Sequence, residues 1–344
     1  MNSLIALVLL GQILGCTLSH HLDLPSDCNS KEAEQYAALV VDYINAHNVH
    51  GYKQALNVIK DIVIVKKLTG KAIYMELGLL ESKCPVLSPT PIENCIVRTQ
   101  QQHAVEADCD AKLLSVDGST KVVAVKCHSS PDSVEDLLKL CPDCPVLLPL
   151  NDPAVIEAAE YVLHKHNEQN LGRAYKILEI SRGQHHHLPN LVYVEFAIVE
   201  TNCLVQEAHD GQHDCLPKAA ADAHVGFCRA TVFRKDAATE KLTDEKFESD
   251  CVIFDHKAGE SHVHLIEHHL GKNIPSPGHN HTVLNLVHSH NDTNASYESH
   301  SAEVLPEVAA PVVKREAPPT EVPHTTHHMH PAKLCPGKIH HFKL

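Results

Sequence analysis

The segment Cys141-Pro142-Asp143-Cys144-Pro145 carries the residue types and spacing best suited to chemistry. Two cysteines separated by two residues can form a redox couple, bind a metal or close a tight disulfide ring. The redox reading requires a βαβ surrounding that is missing here. A plain staple is the simplest alternative. A third reading is sharper: two prolines stiffen the approaches to the ring, and the single carboxylate of Asp143 is held outward at its tip. An anion preorganised in this way loses little freedom on docking. It can take the open coordination position of a catalytic zinc in place of the attacking water.

Histidine supplies the next candidates. His262-x-His264, His279-x-His281 and His288-x-His290 are pairs whose neutral imidazoles can hold zinc or copper, with affinity falling as pH drops through about 6.5. Without fixed geometry such binding is weak and unselective, and low-complexity drift is the competing explanation. No nucleophile motif and no glycine-rich phosphate loop occurs, so the expectation is a protein that is not an enzyme and requires no cofactor, with Ca2+ or Zn2+ as optional ligands. The formal net charge of −14 argues against nucleic acid as a partner and favours cations or basic surfaces.

The elements that must position these groups begin after an apolar run from Leu4 to Leu14, about the length of a signal-peptide core. Residues 1–19 are read as that signal, with cleavage before His20. No later stretch is apolar for the roughly 18 residues a membrane helix needs. The expectation is a secreted, extracellular chain with no membrane segment. Of thirteen cysteines, Cys16 falls in the signal and twelve remain, an even number suited to full pairing in an oxidising compartment.

An internal duplication organises the chain beyond the signal. Ile73 to Cys84 aligns without gaps against Val192 to Cys203, keeping the tyrosine, both glutamates and the cysteine. Cys95, Cys109 and Cys127 recur as Cys215, Cys228 and Cys251. Upstream of each strand lies a helix pattern. Asn29 with Glu32 reads as a capping pair before Ala37, Val40, Val41 and Ile44, with the helix ending at Asn45. Asp152 with Pro153 at the first helical position precedes Val155, Ile156, Ala159 and Val162. Each unit is therefore one helix and several strands, an α+β arrangement with the helix wrapped by an antiparallel sheet.

Twelve cysteines allow on the order of ten thousand pairings. The duplication and the short separations favour Cys84 with Cys95, Cys109 with Cys127, Cys203 with Cys215, Cys228 with Cys251 and Cys141 with Cys144. Cys28 is then left to join Cys335. The units are placed at 20–130 and 151–255, with a linker at 131–150. From 256 to 344 the chain becomes a His- and Pro-rich tail expected to be largely disordered. Glycosylation triplets begin at Asn280, Asn291 and Asn294, and a dibasic Lys314-Arg315 offers a cleavage point. Ser30-Lys31-Glu32 and Ser133-Val134-Glu135 have the Ser-x-Glu form favoured by secretory kinases.

Four segments carry a resemblance to a known family: Ala38-Leu39-Val40-Val41-Asp42-Tyr43-Ile44-Asn45, His103-Ala104-Val105-Glu106-Ala107-Asp108-Cys109-Asp110, Cys127-His128-Ser129-Ser130-Pro131-Asp132-Ser133, and the end Cys335-Pro336-Gly337-Lys338-Ile339-His340-His341-Phe342-Lys343. The chain resembles the fetuins, tandem-cystatin glycoproteins of plasma, and is nearest the fetuin-A branch. The resemblance implies two cystatin-like domains and supports the cysteine pairing. It also implies a calcium phosphate partner, held by a first-domain strand whose alternating acids lie about 7 Å apart. Here Glu76 and Glu81 persist, whereas Tyr74 and Gly78 occupy other places in that row. Glutamates on a solvated sheet face are the competing reading.

The five linker residues are similar to the segment by which the fetuin-B branch blocks astacin-type zinc metalloproteinases, which makes such an enzyme the expected partner. In that branch a second-domain hairpin bearing a tryptophan shares the contact. This chain has no tryptophan and places Gln184-His185-His186-His187-Leu188-Pro189 near that turn. The Q-x-V-x-G hairpin by which cystatins block cysteine proteases is absent from Ile62–Gly70 and from Ile180–Gln184. Endopeptidase inhibition through Asp143 is the leading expectation, with mineral and divalent-metal carriage as the alternative.

Overall fold

The computed structural model describes residues 23–24, 27–170, 172–187, 189–209, 215–234, 246–254, 285–289 and 335–343. A short β1 (Asp23–Leu24) precedes helix α1 (Lys31–His47). The helix starts one residue later than expected. Ser30 is the cap, its hydroxyl accepting from the Ala33 N–H at 3.1 Å, because the Asn29 side chain is engaged elsewhere and accepts from the Lys338 N–H at 2.7 Å. The helix also runs two residues past Asn45, whose amide pairs with both backbone groups of Gln54 at 2.7 and 2.9 Å and so serves the neighbouring strand.

Four long strands come next: β2 (Tyr52–Lys67), β3 (Gly70–Pro85), β4 (Val105–Val116) and β5 (Ser119–Pro131). Gly70 closes the first hairpin at φ +141°, where a Cβ would meet the Ser115 carbonyl oxygen at 2.1 Å. The buried stripe Ala37, Val40, Val41 and Ile44 of α1 packs on Ile73, Met75, Leu77, Leu113 and Val125, which forms the first core.

The second unit repeats this plan. Helix α2 (Val134–Leu140) and β6 (Val146–Leu147) belong to the connection, and then come α3 (Pro153–Gln169), β7 (Arg173–His186), β8 (Leu191–Leu204), α4 (Val205–His209), β9 (Val225–Phe233) and β10 (Phe247–Ile253). Asp152 caps α3 by accepting from the Ala154 N–H at 2.8 Å, with Pro153 in the first turn. Val155, Ala159 and Val162 pack on Val192, Val194, Phe196 and Ile198. β7 comes close to the helix because Gly183 has no side chain: a Cβ there would lie 2.5 Å from a Val155 methyl.

Both sheets are antiparallel, in the orders β1-β2-β3-β4-β5-β11 and β10-β9-β8-β7-β6. The fold is thus the expected α+β one, with each helix against its own sheet. The tail departs from the expectation of disorder in two places. β11 (Asn285–Ser289) pairs with β5, and residues 335–343 lie along β2, where Gly337 and His340 donate to the carbonyls of Ile59 and Asn57 at 2.8 Å each. Six disulfides close the frame: Cys28–Cys335, Cys84–Cys95, Cys109–Cys127, Cys141–Cys144, Cys203–Cys215 and Cys228–Cys251. Cys109 and Cys228 each face their partner directly across adjacent strands, at a Cα separation of 4.1 Å. Among the described residues no helix is long and apolar enough to cross a membrane.

Candidate functional site

The linker leaves β5 at Pro131, turns through α2 and reaches the ring at the helix end. Ser133 caps α2, and Leu137 is the residue that α2 buries. The Cys141 N–H donates to the Leu137 carbonyl at 2.8 Å, and the Cys144 N–H donates to the Cys141 carbonyl at 3.1 Å. The bond between Cys141 and Cys144 spans 5.3 Å between Cα atoms. Cys144 is buried, whereas Pro142 and Asp143 are exposed at the tip. The Asp143 carboxylate has no hydrogen bond or ion pair among the described residues.

Past the ring the chain is clipped to both units. β6 pairs with the end of β7, Val146 opposite His185 and Leu147 opposite Gln184, and the Leu148 N–H donates to the Gly183 carbonyl at 2.9 Å. On the other side the Leu147 N–H donates to Nδ1 of His103 at 3.0 Å. The ring therefore stands beside the β7–β8 hairpin. In that turn His185 Nε2 meets Asn190 Oδ1 at 3.0 Å, and the His185 and His187 rings lie 4.4 Å apart. Leu188 lies outside the described residues.

A buried charge network fixes one unit against the other. Arg98, between β3 and β4, donates through Nε to Glu81 of β3 at 2.7 Å and through a terminal nitrogen to Glu195 of β8 at 2.5 Å. Arg182 of β7 reaches Glu81 at 2.9 Å and donates to the carbonyls of Gln102 and His103 at 2.5 and 2.7 Å. Tyr52 and Tyr193 both donate their hydroxyls to Glu195. Arg98, Glu81, Arg182 and Glu195 are all 3 % exposed or less, so these charges hold only because they are paired. Burial alone would raise the Glu195 carboxyl, but the Arg98 charge and the hydrogen bonds from Arg98, Tyr193 and Tyr52 outweigh it and hold it at about 2. Burial raises Glu81, with Arg182 and Arg98 opposing it. Beside the network Tyr52, Val86 and Leu87 pack on Leu178, Ala197, Val199 and Phe227, so the junction is also an apolar core.

This placement corrects one expectation. Glu81 is no mineral ligand: it is five residues from Glu76, an odd step along a strand, and so points to the opposite face, into the charge network. Glu76 is exposed, with Asp61 of β2 and Asp110 of β4 directly opposite it in register. Among the tail candidates, His262, His264, His279, His281 and His290 lie outside the described residues, as do Asn280, Asn291, Asn294 and Lys314-Arg315. His288 sits in β11 opposite Val125. Among the described residues no group of three or more His, Cys, Asp or Glu side chains is placed to hold a metal ion. Sequence reasoning missed Arg98, Arg182 and His103, whose partners are remote in the chain.

Comparison with known proteins agrees with this architecture. The cystatin domain matches residues 144–236. Antihemorrhagic factor cHLP-B of Gloydius brevicauda is 61% identical over 345 residues, covering 100% of both chains. Alpha-2-HS-glycoprotein of Oryctolagus cuniculus is 43% identical over 256 residues, 73% of this chain and 69% of that one. Two solved structures share the fold at 24% identity. Mouse fetuin-B in complex with crayfish astacin has a TM-score of 0.57, over 69% of this chain and 70% of the other. The inhibitory complex of human meprin beta with mouse fetuin-B has a TM-score of 0.58, over 68% and 74%.

Proposed function

Because the chain belongs to the fetuin family of tandem-cystatin proteins, we propose that it is a secreted, non-catalytic inhibitor of astacin-type zinc endopeptidases and that Asp143 is the group that reaches the enzyme's metal. One observation carries the reading: a disulfide ring clipped to both units holds out a carboxylate that has no partner of its own among the described residues. A catalytic zinc keeps one position open for water, and an anion placed there removes the nucleophile. The ring is already closed and its ends are pinned, so little conformational freedom is lost when it enters a cleft. The adjacent His185 to His187 turn would meet the rim of that cleft. The names of the relatives support the reading, as do the astacin and meprin beta complexes of the fold neighbours.

The test is titration of astacin with secreted wild type, Asp143→Ala and Asp143→Asn. Loss of a hot-spot contact worth at least about 2 kcal/mol predicts a weakening of roughly 30-fold or more in both variants. Equal inhibition by wild type and Asp143→Ala rejects the assignment.

A second reading rests on a different face. Asp61, Glu76 and Asp110 lie abreast on β2, β3 and β4, about 4.8 Å from strand to strand, and Asp108 continues the exposed row along β4. Asp61 is half-exposed and Asp108 is paired with Lys60, so Glu76 and Asp110 are the acids of this row best placed to meet calcium at a mineral surface. Delay of calcium phosphate precipitation that is lost in Glu76→Gln/Asp110→Asn supports it, and precipitation unaffected by wild type removes it.

A further inference from the structure

His103 is 1 % exposed and sits at the end of a short 3-10 turn at Gln100–Gln102, where it holds φ at +54° in the left-handed region. Its two ring nitrogens serve the two ends of one segment. Nε2 lies 2.7 Å from the Asp132 carbonyl oxygen, and Nδ1 lies 3.0 Å from the Leu147 backbone nitrogen. A carbonyl only accepts, so Nε2 must carry the proton. A backbone N–H only donates, so Nδ1 must be bare. One neutral tautomer of one side chain thus fastens both ends of the loop 132–147, and the ring with Asp143 lies between those ends.

We propose that His103 is the positioning residue of the inhibitory linker and that protonation of its imidazole releases the end of the linker next to the ring. The inference rests on the inhibitor reading above. With Nδ1 protonated, two N–H groups face each other where a hydrogen bond had been, and the half-buried Leu147 amide loses its acceptor. The linker is then fastened at its start, through Asp132, and past the ring by β6, by the Leu148 N–H on the Gly183 carbonyl at 2.9 Å and by the Gln184 amide, which donates to the Pro145 carbonyl at 3.5 Å, with the His103 side gone. The Asp143 carboxylate samples more positions and docks at a greater entropic cost.

The charged groups around His103 come from several elements. Arg182 of β7 donates to the carbonyls of Gln102 and His103. Asp132 of the linker has a carboxyl that burial, Glu106 of β4 and Asp136 of α2 together push up to about 6. Burial lowers the His103 imidazole, as does the Arg182 charge, while the bond to the Asp132 carbonyl raises it. The ring is therefore neutral at neutral pH, and release belongs to acid conditions.

The experiment compares wild type, His103→Gln and His103→Leu in secreted, oxidised form. Glutamine offers an acceptor oxygen and a donating NH2 on a single amide and does not titrate, whereas leucine offers neither. Hydrogen exchange at Leu147 and inhibition of astacin are read from pH 7.5 to 5. The ratio of wild-type to His103→Gln inhibition at each pH cancels the enzyme's own titration and that of Asp132. The expected result is faster Leu147 exchange and about tenfold weaker inhibition in His103→Leu, rescue in His103→Gln, and a ratio that falls with acid. Unchanged Leu147 exchange in His103→Leu, or a ratio flat across the range, overturns the role of His103. Faster exchange with undiminished inhibition overturns the positioning role, whereas equal inhibition by Asp143→Ala and wild type, run alongside, is what refutes inhibition through the linker.

Discussion

Replacing Arg98 with methionine tests what holds the two units together. The guanidinium satisfies two carboxylates, Glu81 at 2.7 Å and Glu195 at 2.5 Å, and it lies 4.5 Å from the centre of the Tyr52 ring. Its removal leaves two acids that are 2 % exposed or less with one cation fewer. Breaking a buried pair from one side costs about 3–5 kcal/mol. At roughly 2–4 °C per kcal/mol for an ordered unit of this size, the melting temperature should fall by about 6–20 °C.

The pH dependence gives a second, independent reading. Glu195 is held at about 2 against an ordinary 4.5, so its contribution is present above pH 4.5 and is lost as pH falls toward 2. The size of that contribution is about 1.4 kcal/mol per pH unit of depression, or roughly 3 kcal/mol. Glu81 is raised instead, so its contribution is complete below pH 4.5 and declines as pH rises through its folded value. In Arg98→Met both acids take up protons at higher pH than in the wild type, because the charge that opposed burial is gone, and the acid limb of the stability curve below pH 4.5 flattens. Calorimetry of the oxidised protein between pH 2.5 and 7 measures both effects. A variant that melts within about 2 °C of wild type at pH 7 and keeps its acid limb would refute the reasoning. The double variant Arg98→Met/Glu195→Gln should recover part of the loss, since it removes the stranded charge.

Opening the linker ring with Cys141→Ser/Cys144→Ser should weaken astacin inhibition at least tenfold while leaving the melting temperature within about 2 °C, because the ring closes only a short local loop; equal inhibition by this variant would show that ring closure is not what orients Asp143. Gly183→Ala should cost about 1–3 kcal/mol by driving a methyl into Val155, read as a lower thermal midpoint, and the paired change Gly183→Ala/Val155→Ala should restore part of it. Asp152→Ala should cost about 1 kcal/mol through the lost cap of α3, with little change in inhibition.

Local signals were legible in the sequence. The repeat from Ile73 to Cys84 and from Val192 to Cys203 marks β3 and β8, and Asp152 with Pro153 marks the start of α3. These features depend on neighbours a few residues away. What escaped depends on distant ones. Ser30 caps α1 in place of Asn29 because a residue more than 300 positions away occupies the Asn29 side chain. Arg98 and Arg182 carry no local signal, because folding alone places Glu81 and Glu195 beside them. His103 gives no signal of its own, because both its partners are backbone groups, 29 and 44 residues onward. The tip of the linker could be read because ring, proline and carboxylate all lie within five residues.

The bond between Cys28 and Cys335 makes the protein a covalent macrocycle of more than 300 residues, with its seam against β2. A single backbone cut anywhere around that circle yields an open ring and no lost fragment. Two polypeptides would appear only on a reducing gel, and the Asp143 tip would stay on the same molecule as its tail. The same closeness of Cys28 and Cys335, 5.3 Å between Cα atoms, means that the chain could be rejoined there and reopened elsewhere without disturbing α1 or α3.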